Sequence, residues 1–282
     1  MAGKKPAALL LALAIMLFSI SPAYAEIWDV YKYTIRGDDT VMITGLFFNP
    51  DTTFLDSLSI PETIEGHPVT ALGDKVFREL NRISGVSVTI PASVTELEGN
   101  PFAESQVDSI TVDPGNPVLE VEKGLLYNKR DQVLVFCTHK AAKGKVSIRK
   151  GTRVIGPQAF YWCIKLTSVQ IPDSVEEIGE GAFCKCDHLQ KLTLPAGITV
   201  IRDHAFSSCE KLKSLVIPEG ATTIGYVAFA YCENLREIRL PASLTMIRGT
   251  AFMNSSKLTA IVPAGSYAEQ FCRDNGIPFK TK

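Results

Sequence analysis

The sequence lacks an excess of charge of either sign: 29 Lys and Arg stand against 30 Asp and Glu over 282 residues, leaving −1. It therefore builds none of the strong positive field that nucleic-acid binding needs, and no polybasic run suits an anionic membrane surface. Past the first two dozen residues it lacks any apolar run of the ~20 residues a bilayer span takes. H-E-x-x-H, G-x-S-x-G and P-loop patterns are all missing, so no familiar metalloprotease, serine-hydrolase or nucleotide site can be drawn. Wholesale disorder is excluded as well, because 46% of the chain is hydrophobic and only 21% charged.

What is present begins at the N-terminus. Lys4 and Lys5 precede an apolar stretch from Ala7 to Ile20, followed by Ser21-Pro22-Ala23-Tyr24-Ala25. A short positive segment, an apolar core and a small-x-small ending make a secretory signal peptide over residues 1–25, cleaved after Ala25. The expected mature chain is secreted or held at the cell surface, with a periplasmic location also open. No later segment is expected to cross a membrane.

The dominant feature is an internal repeat. Ala-Phe recurs at 159–160, 182–183, 205–206, 228–229 and 251–252, each step being 23 residues (183 minus 160, and so on). Cys163, Cys186, Cys209 and Cys232 keep the same period, with Ser255 in the next slot. So do Leu166, Leu189, Leu212, Leu235 and Leu258, and the pairs Ile171-Pro172, Leu194-Pro195, Ile217-Pro218 and Leu240-Pro241. The unit reads A-F-x-x-C-x-x-L-x-x-[IVL]-x-[IL]-P-x-x-[VIAL]-x-x-I. Leu166, Val169 and Ile171 give a short half-buried strand. Pro172, which has no N–H, ends it. Val175 and Ile178 turn inward from a second segment, extended or turning. No unit can bury its own apolar face, so stacked units must share one core, with strands about 4.8 Å apart in a parallel ladder.

The phase continues upstream with edits. Ile90-Pro91 precedes Phe102 by 11 residues, as Pro172 precedes Phe183, and Pro114 follows Phe102 by 12. From Pro114 to Arg149 is 35 residues, or 23 plus 12. The excess predicts a hairpin insertion near 115–147, residues 125–129 pairing with 133–136. Ile60-Pro61 and Val76-Phe77 form a worn copy, giving roughly eight or nine turns over residues 59–262. Residues 26–58 lack the repeat and hold two strand-like runs, 31–35 and 41–46, an expected N-terminal β cap. Residues 263–282 form the other cap, where Ser266 is placed to cap a short helix over 267–274, stopped by Gly276.

These motifs resemble the BspA-like family of bacterial leucine-rich repeats, over nearly all of residues 40–275. The carriers are the unit from Ala159 to Pro241, the Gly-Leu-Leu-Tyr-Asn-Lys segment at 124–129 and the Val-Pro-Ala-Gly-Ser-Tyr-Ala ending at 262–268. The resemblance implies a β-rich leucine-rich-repeat solenoid, secreted or surface-exposed, and in some members adhesion to host proteins or other cells. The chain departs from the family in having no obvious C-terminal anchoring or sorting domain.

Four cysteines share one slot that faces inward, so they are expected to be buried thiols packing as small hydrophobes. Cross-links between adjacent rungs fit the spacing, although Ser255 fills the fifth rung. Cys184, Cys186 and His188 have zinc-like chemistry, but the repeat sends Cys186 inward and His188 outward. No metal or cofactor is therefore expected. Glu176-Glu177 occupies a turn slot, and an undetected hydrolase built on converging acids is a remote third reading. The favoured reading is a non-enzymatic binding module with a protein partner. It works through the outward residues of the strand ladder: Ser168, Gln170, Lys191, Thr193, Ser214, Val216, Glu237 and Arg239, or through the insertion. These vary while the frame repeats, and no aromatic row among them suits sugar stacking. The alternative is a structural, self-associating envelope component; the first reading expects a monomer or weak self-association.

Overall fold

A computed structural model describes residues 26–28, 30–47 and 55–282; the expected signal peptide lies outside the described residues. Each repeat becomes one coil with two short strands and a corner. In the coil that follows Phe160, Leu166–Gln170 is the first strand and Glu177–Ile178 the second, and Ala182-Phe183 turns the next corner. Successive first strands pair in parallel, Ser168 beside Lys191 and Ser214 beside Glu237. Successive second strands do the same: Glu177 meets Val200, Val200 meets Thr223, and Thr223 meets Met246. The corners form a third column of hydrogen bonds. The N–H groups of Phe160, Phe183, Phe206 and Phe229 donate to the carbonyls of Ala182, Ala205, Ala228 and Ala251, each at 2.8 Å. The result is a β-solenoid of about nine turns.

The second segment, open in the sequence between extended and turning, is thus a ladder in its own right. Its parallel strands run without interruption from Val133–Cys137 to Met246–Ile247. The front ladder, made of the first strands, falls into three sets. One joins Ser57–Ser59, Ser87–Ile90 and Ser109–Val112; the next joins Gly144–Ser147, Leu166–Gln170 and Lys191–Leu192. The last runs from Ser214–Val216 through Glu237–Arg239 and Thr259–Val262 to Phe279–Thr281.

Burial explains the repeat. Phe160, Phe183, Phe206 and Phe229 are wholly inaccessible, as are Leu166, Leu189, Leu212 and Leu235. Because every coil repeats the last, the rings stack nearly parallel, with centroids 4.9 Å apart for Phe160–Phe183, 5.4 Å for Phe183–Phe206 and 5.3 Å for Phe206–Phe229. The corner that holds each ring is tight enough to need left-handed backbone on both sides. His204 (φ 57°) and Ser208 (φ 58°) flank Phe206, and Val227 (φ 55°) and Tyr231 (φ 57°) flank Phe229. For a β-branched residue such as Val227 this conformation is costly; the stacked hydrogen bonds hold it in place.

The insertion is a three-stranded antiparallel meander of Leu119–Glu122, Leu125–Asn128 and Val133–Cys137. Its last strand also pairs in parallel with Val154–Ile155 and so rejoins the back ladder. Phe136, carried on it, stacks 5.3 Å from Phe102, which stacks 4.7 Å from Phe77. The hairpin thereby replaces the ring that an ordinary corner would supply. Two buried asparagines secure the region. Asn100 Nδ2 donates to the carbonyls of Val135 (3.1 Å) and Pro157 (2.8 Å), while its Oδ1 accepts from Phe102 N–H (3.0 Å). Asn116 Nδ2 donates to Pro91 and Val94 carbonyls (2.9 and 2.8 Å), and its Oδ1 accepts from the N–H groups of Val118 and Leu119 (2.9 and 2.7 Å).

Both ends are closed. Tyr31–Ile35 pairs antiparallel with Val41–Leu46, which pairs in parallel with His67–Leu72 in a separate N-terminal sheet. At the other end the helix spans Tyr267–Asp274, Ser266 Oγ accepts from Glu269 N–H, and Phe271 and Cys272 are buried against the last coil. Beyond the helix, Phe279–Thr281 adds a final parallel strand to Thr259–Val262, an element the sequence pattern did not announce.

Candidate binding face

The eight outward residues of the front ladder lie on one side of the solenoid. Gln170, Lys191, Thr193, Ser214, Val216 and Arg239 are exposed, Ser168 and Glu237 half-buried. The residues between them, Val169, Leu192, Leu215 and Ile238, are buried. Strand alternation therefore sorts framework from surface. Register places Ser168 beside Lys191, Ser214 beside Glu237 and Val216 beside Arg239. The two halves of the face meet where the ladder is interrupted, between Lys191–Leu192 and Ser214–Val216. A shallow groove of about 280 Å³ opens there, lined by Leu192, Thr193, Leu194, Ser214, Leu215 and Val216, among others. Val216 is 59% exposed, an apolar side chain standing in water at the groove edge.

The back ladder differs in its electrostatics. Arg153 pairs with Glu176 at 2.6 Å and Arg202 with Glu177 at 2.5 Å, each across neighbouring coils. The Glu176-Glu177 pair thus points its carboxylates at two different arginines. Both acids are occupied in tying coils together rather than converging on one point. Among the eight outward residues of the front face the one ion pair is Arg239–Glu237, at 3.0 Å.

The cysteine slot has a definite job. Cys186 Sγ–H donates to Phe160 O, Cys209 to Phe183 O and Cys232 to Phe206 O, each at 3.2 Å. In the fifth rung Ser255 Oγ donates to Phe229 O at 2.7 Å and accepts from Cys232 N–H at 3.1 Å. The slot calls for a small side chain with one donor. Burial raises the thiol pKa of Cys186 and Cys209 well above the ordinary value and pushes that of Cys232 up to about 12. They stay protonated and donating. All seven cysteines are free thiols. Replacement of Cys209 by Ser should therefore leave the melting temperature nearly unchanged, whereas Cys209→Val, which removes the donor at similar volume, should cost about 1–3 kcal/mol by leaving Phe183 O unpaired; thermal unfolding of the two variants checks this. Cys186 is buried while His188 is exposed, and among the described residues no three His, Cys, Asp or Glu side chains gather to hold a metal.

Sequence reasoning missed Asn100 and Asn116, whose value lies in carbonyls brought near from other coils. It also passed over the corner side, where Lys185 Nζ lies 5.0 Å from the Trp162 ring centre and 5.8 Å from that of Tyr161. Trp162, Tyr226 and Tyr231 are exposed there. Inspection of the residue two places after each Phe would have shown Trp162, Lys185 and Tyr231 in one slot, though not Tyr226, three places before Phe229.

Parallel coils, a leucine-lined interior and a variable outer face define a leucine-rich-repeat solenoid. The BspA type leucine rich repeat region matches residues 47–130 and 135–261 in six copies, and the chain belongs to that family. Similar solved structures include a leucine rich cell surface protein from Faecalibacterium prausnitzii (22% identity, TM-score 0.61, covering 93% of this chain and 99% of that one). Another is the pneumococcal vaccine antigen PcpA (14% identity, TM-score 0.60, covering 89% and 96%). A third is a leucine-rich repeat protein from Eubacterium ventriosum (15% identity, TM-score 0.52, covering 81% and 94%). At these identities they share the fold. No curated protein matches the chain. Among the described residues no helix is long and apolar enough to cross a membrane.

Proposed function

We propose that this chain is an exported, non-enzymatic binding module that engages a protein partner at or outside the bacterial cell surface through its front ladder. The observation that carries the reading is the contrast within each first strand. Buried leucine-type residues repeat from coil to coil, while the outward positions change from Ser168 and Gln170 to Lys191 and Thr193, then Ser214 and Val216, then Glu237 and Arg239. A rigid frame presenting variable side chains over several coils suits recognition of an extended protein surface. The cell-surface description of the Faecalibacterium structure and the antigen description of PcpA accord with export. Adhesion is the activity such a module performs, and it needs no cofactor.

The test uses residues 26–282, wild type and Thr193→Arg with Val216→Arg, as bait for surface proteins from the bacterium's natural surroundings. The double variant should unfold at the wild-type temperature, since both side chains point into water, and should lose the captured partner. Undiminished capture would move the site elsewhere, the 115–147 insertion first. A second reading, self-association, is favoured by one observation: Phe279–Thr281 ends the front ladder as an outermost strand. Against it, Lys280 within that strand and Lys282 just after it are exposed and charged, a common guard against edge-to-edge pairing. Light scattering that grows with concentration would support it.

A further inference from the structure

From the electrostatics of the front face we infer that the partner is an acidic protein segment, extended along the solenoid axis and carrying apolar side chains between its carboxylates. This inference rests on the front ladder being the binding face. Lys165, Lys191, Lys211, Lys213, Arg236 and Lys257 are all exposed along the first-strand side of five successive coils. Among the described residues none of the six has a carboxylate within ion-pair distance. The arginines of the back ladder contrast with them: Arg153 and Arg202 are each paired with a glutamate, and Arg248 lies over the Tyr226 ring. These six front-side cations thus lack the carboxylate partner that Arg153 and Arg202 have on the back, Arg239 with Glu237 being the exception on the front face, in a chain whose net charge is −1.

The arrangement works against the free protein. Lys213 and Arg236 hold the same slot in adjacent coils, and the Arg236 N–H donates to the Lys213 carbonyl at 2.9 Å. Like charges on neighbouring strands are destabilising; a partner's carboxylate between them removes that cost. Lys165, Lys211 and Lys257 share another slot at two-coil intervals (211 minus 165 is 46, or twice 23). A single-sign polymer such as a sulfated glycan or nucleic acid fits poorly. Asp187, Glu210 and Glu233 form an acidic column one residue before the lysine slot, and they would repel uniform negative charge. The groove at the ladder break, edged by the exposed Val216, adds an apolar contact suited to an aliphatic side chain. Spaced carboxylates with apolar residues between them satisfy both features.

The experiment measures binding of a fluorescent peptide repeating Glu-Val-Glu-Ser to residues 26–282, with a Lys-Val-Lys-Ser peptide and heparin as comparators. The acidic peptide should bind, weaken as salt rises, and bind roughly tenfold less tightly to the triple variant Lys191→Gln, Lys213→Gln, Arg236→Gln, which loses three exposed charge contacts at once. The back-face triple Arg153→Gln, Arg202→Gln, Arg248→Gln should bind as wild type does. Equal loss in both triples, no binding by wild type, or binding of heparin in preference to the peptide would overturn the inference. The broader reading fails separately, when Thr193→Arg with Val216→Arg leaves partner capture intact; an uncharged partner lost in that variant would sink the acidic segment and leave the face standing.

Discussion

Replacing Phe206 by Ala should lower the stability of the protein by about 3–5 kcal/mol, the range for deleting a buried aromatic ring. The ring is wholly inaccessible and lies between two others, 5.4 Å from Phe183 and 5.3 Å from Phe229. Its removal leaves a void that the fixed corner cannot close. The backbone there is held by the Phe206 N–H on Ala228 O and by Cys232 Sγ–H on Phe206 O, so collapse would break two bonds to the next coil. A coil in a solenoid touches only its neighbours. The loss should therefore be read as weakened stacking of three consecutive coils, with calorimetry showing a lower and broader transition. A change under about 1 kcal/mol would place the ring outside the core.

The second large effect is expected at Asn116, where the insertion begins. Its side chain is buried and makes four hydrogen bonds, two as donor to Pro91 and Val94 carbonyls and two as acceptor from Val118 and Leu119 N–H groups. Asn116→Ala removes little apolar contact but strands four backbone groups in two chain segments, 91–94 and 118–119, at a cost of about 3 kcal/mol once some are rehydrated. Asn116→Asp is the telling companion. It keeps shape and both acceptor bonds, yet turns a carboxylate oxygen toward two carbonyl oxygens. If packing volume were what matters, Asp would be tolerated. On the present account it destabilises at neutral pH at least as much as Ala does, and thermal melts of the two variants decide the matter.

The fold was legible because burial in a solenoid is written with a fixed period. Phe160, Phe183, Phe206 and Phe229 each face the same surroundings, and a 23-residue step in the sequence becomes one step along the axis. The C-terminal helix was legible for a local reason: Ser266 meets the Glu269 N–H it was placed to cap. Less could be read where the structure depends on partners distant in sequence. The residues of the back ladder, two per coil, are too few to show alternation, and only the neighbouring coils make them strands. Phe279–Thr281 is a strand because Thr259–Val262 offers it an edge. Asn100 gives no local sign that carbonyls from Val135 and Pro157 converge on it. On the front ladder, the proposed binding face, the alternation of the strand residues showed which side chains point outward. That Arg153 and Arg202 are paired while Lys191, Lys213 and Arg236 are not depends on distances between coils, which no pattern of letters carries.

The stack of like coils is the claim beneath all of this, and a pair of double-mutant cycles tests it most directly. One cycle combines Phe183→Leu with Phe206→Leu, rings in adjacent coils; the other combines Phe77→Leu with Phe206→Leu, rings several coils apart. The account predicts a coupling of about 0.5–1.5 kcal/mol in the first cycle and additivity to within about 0.5 kcal/mol in the second. Coupling of equal size in both, or none between Phe183 and Phe206, would contradict it.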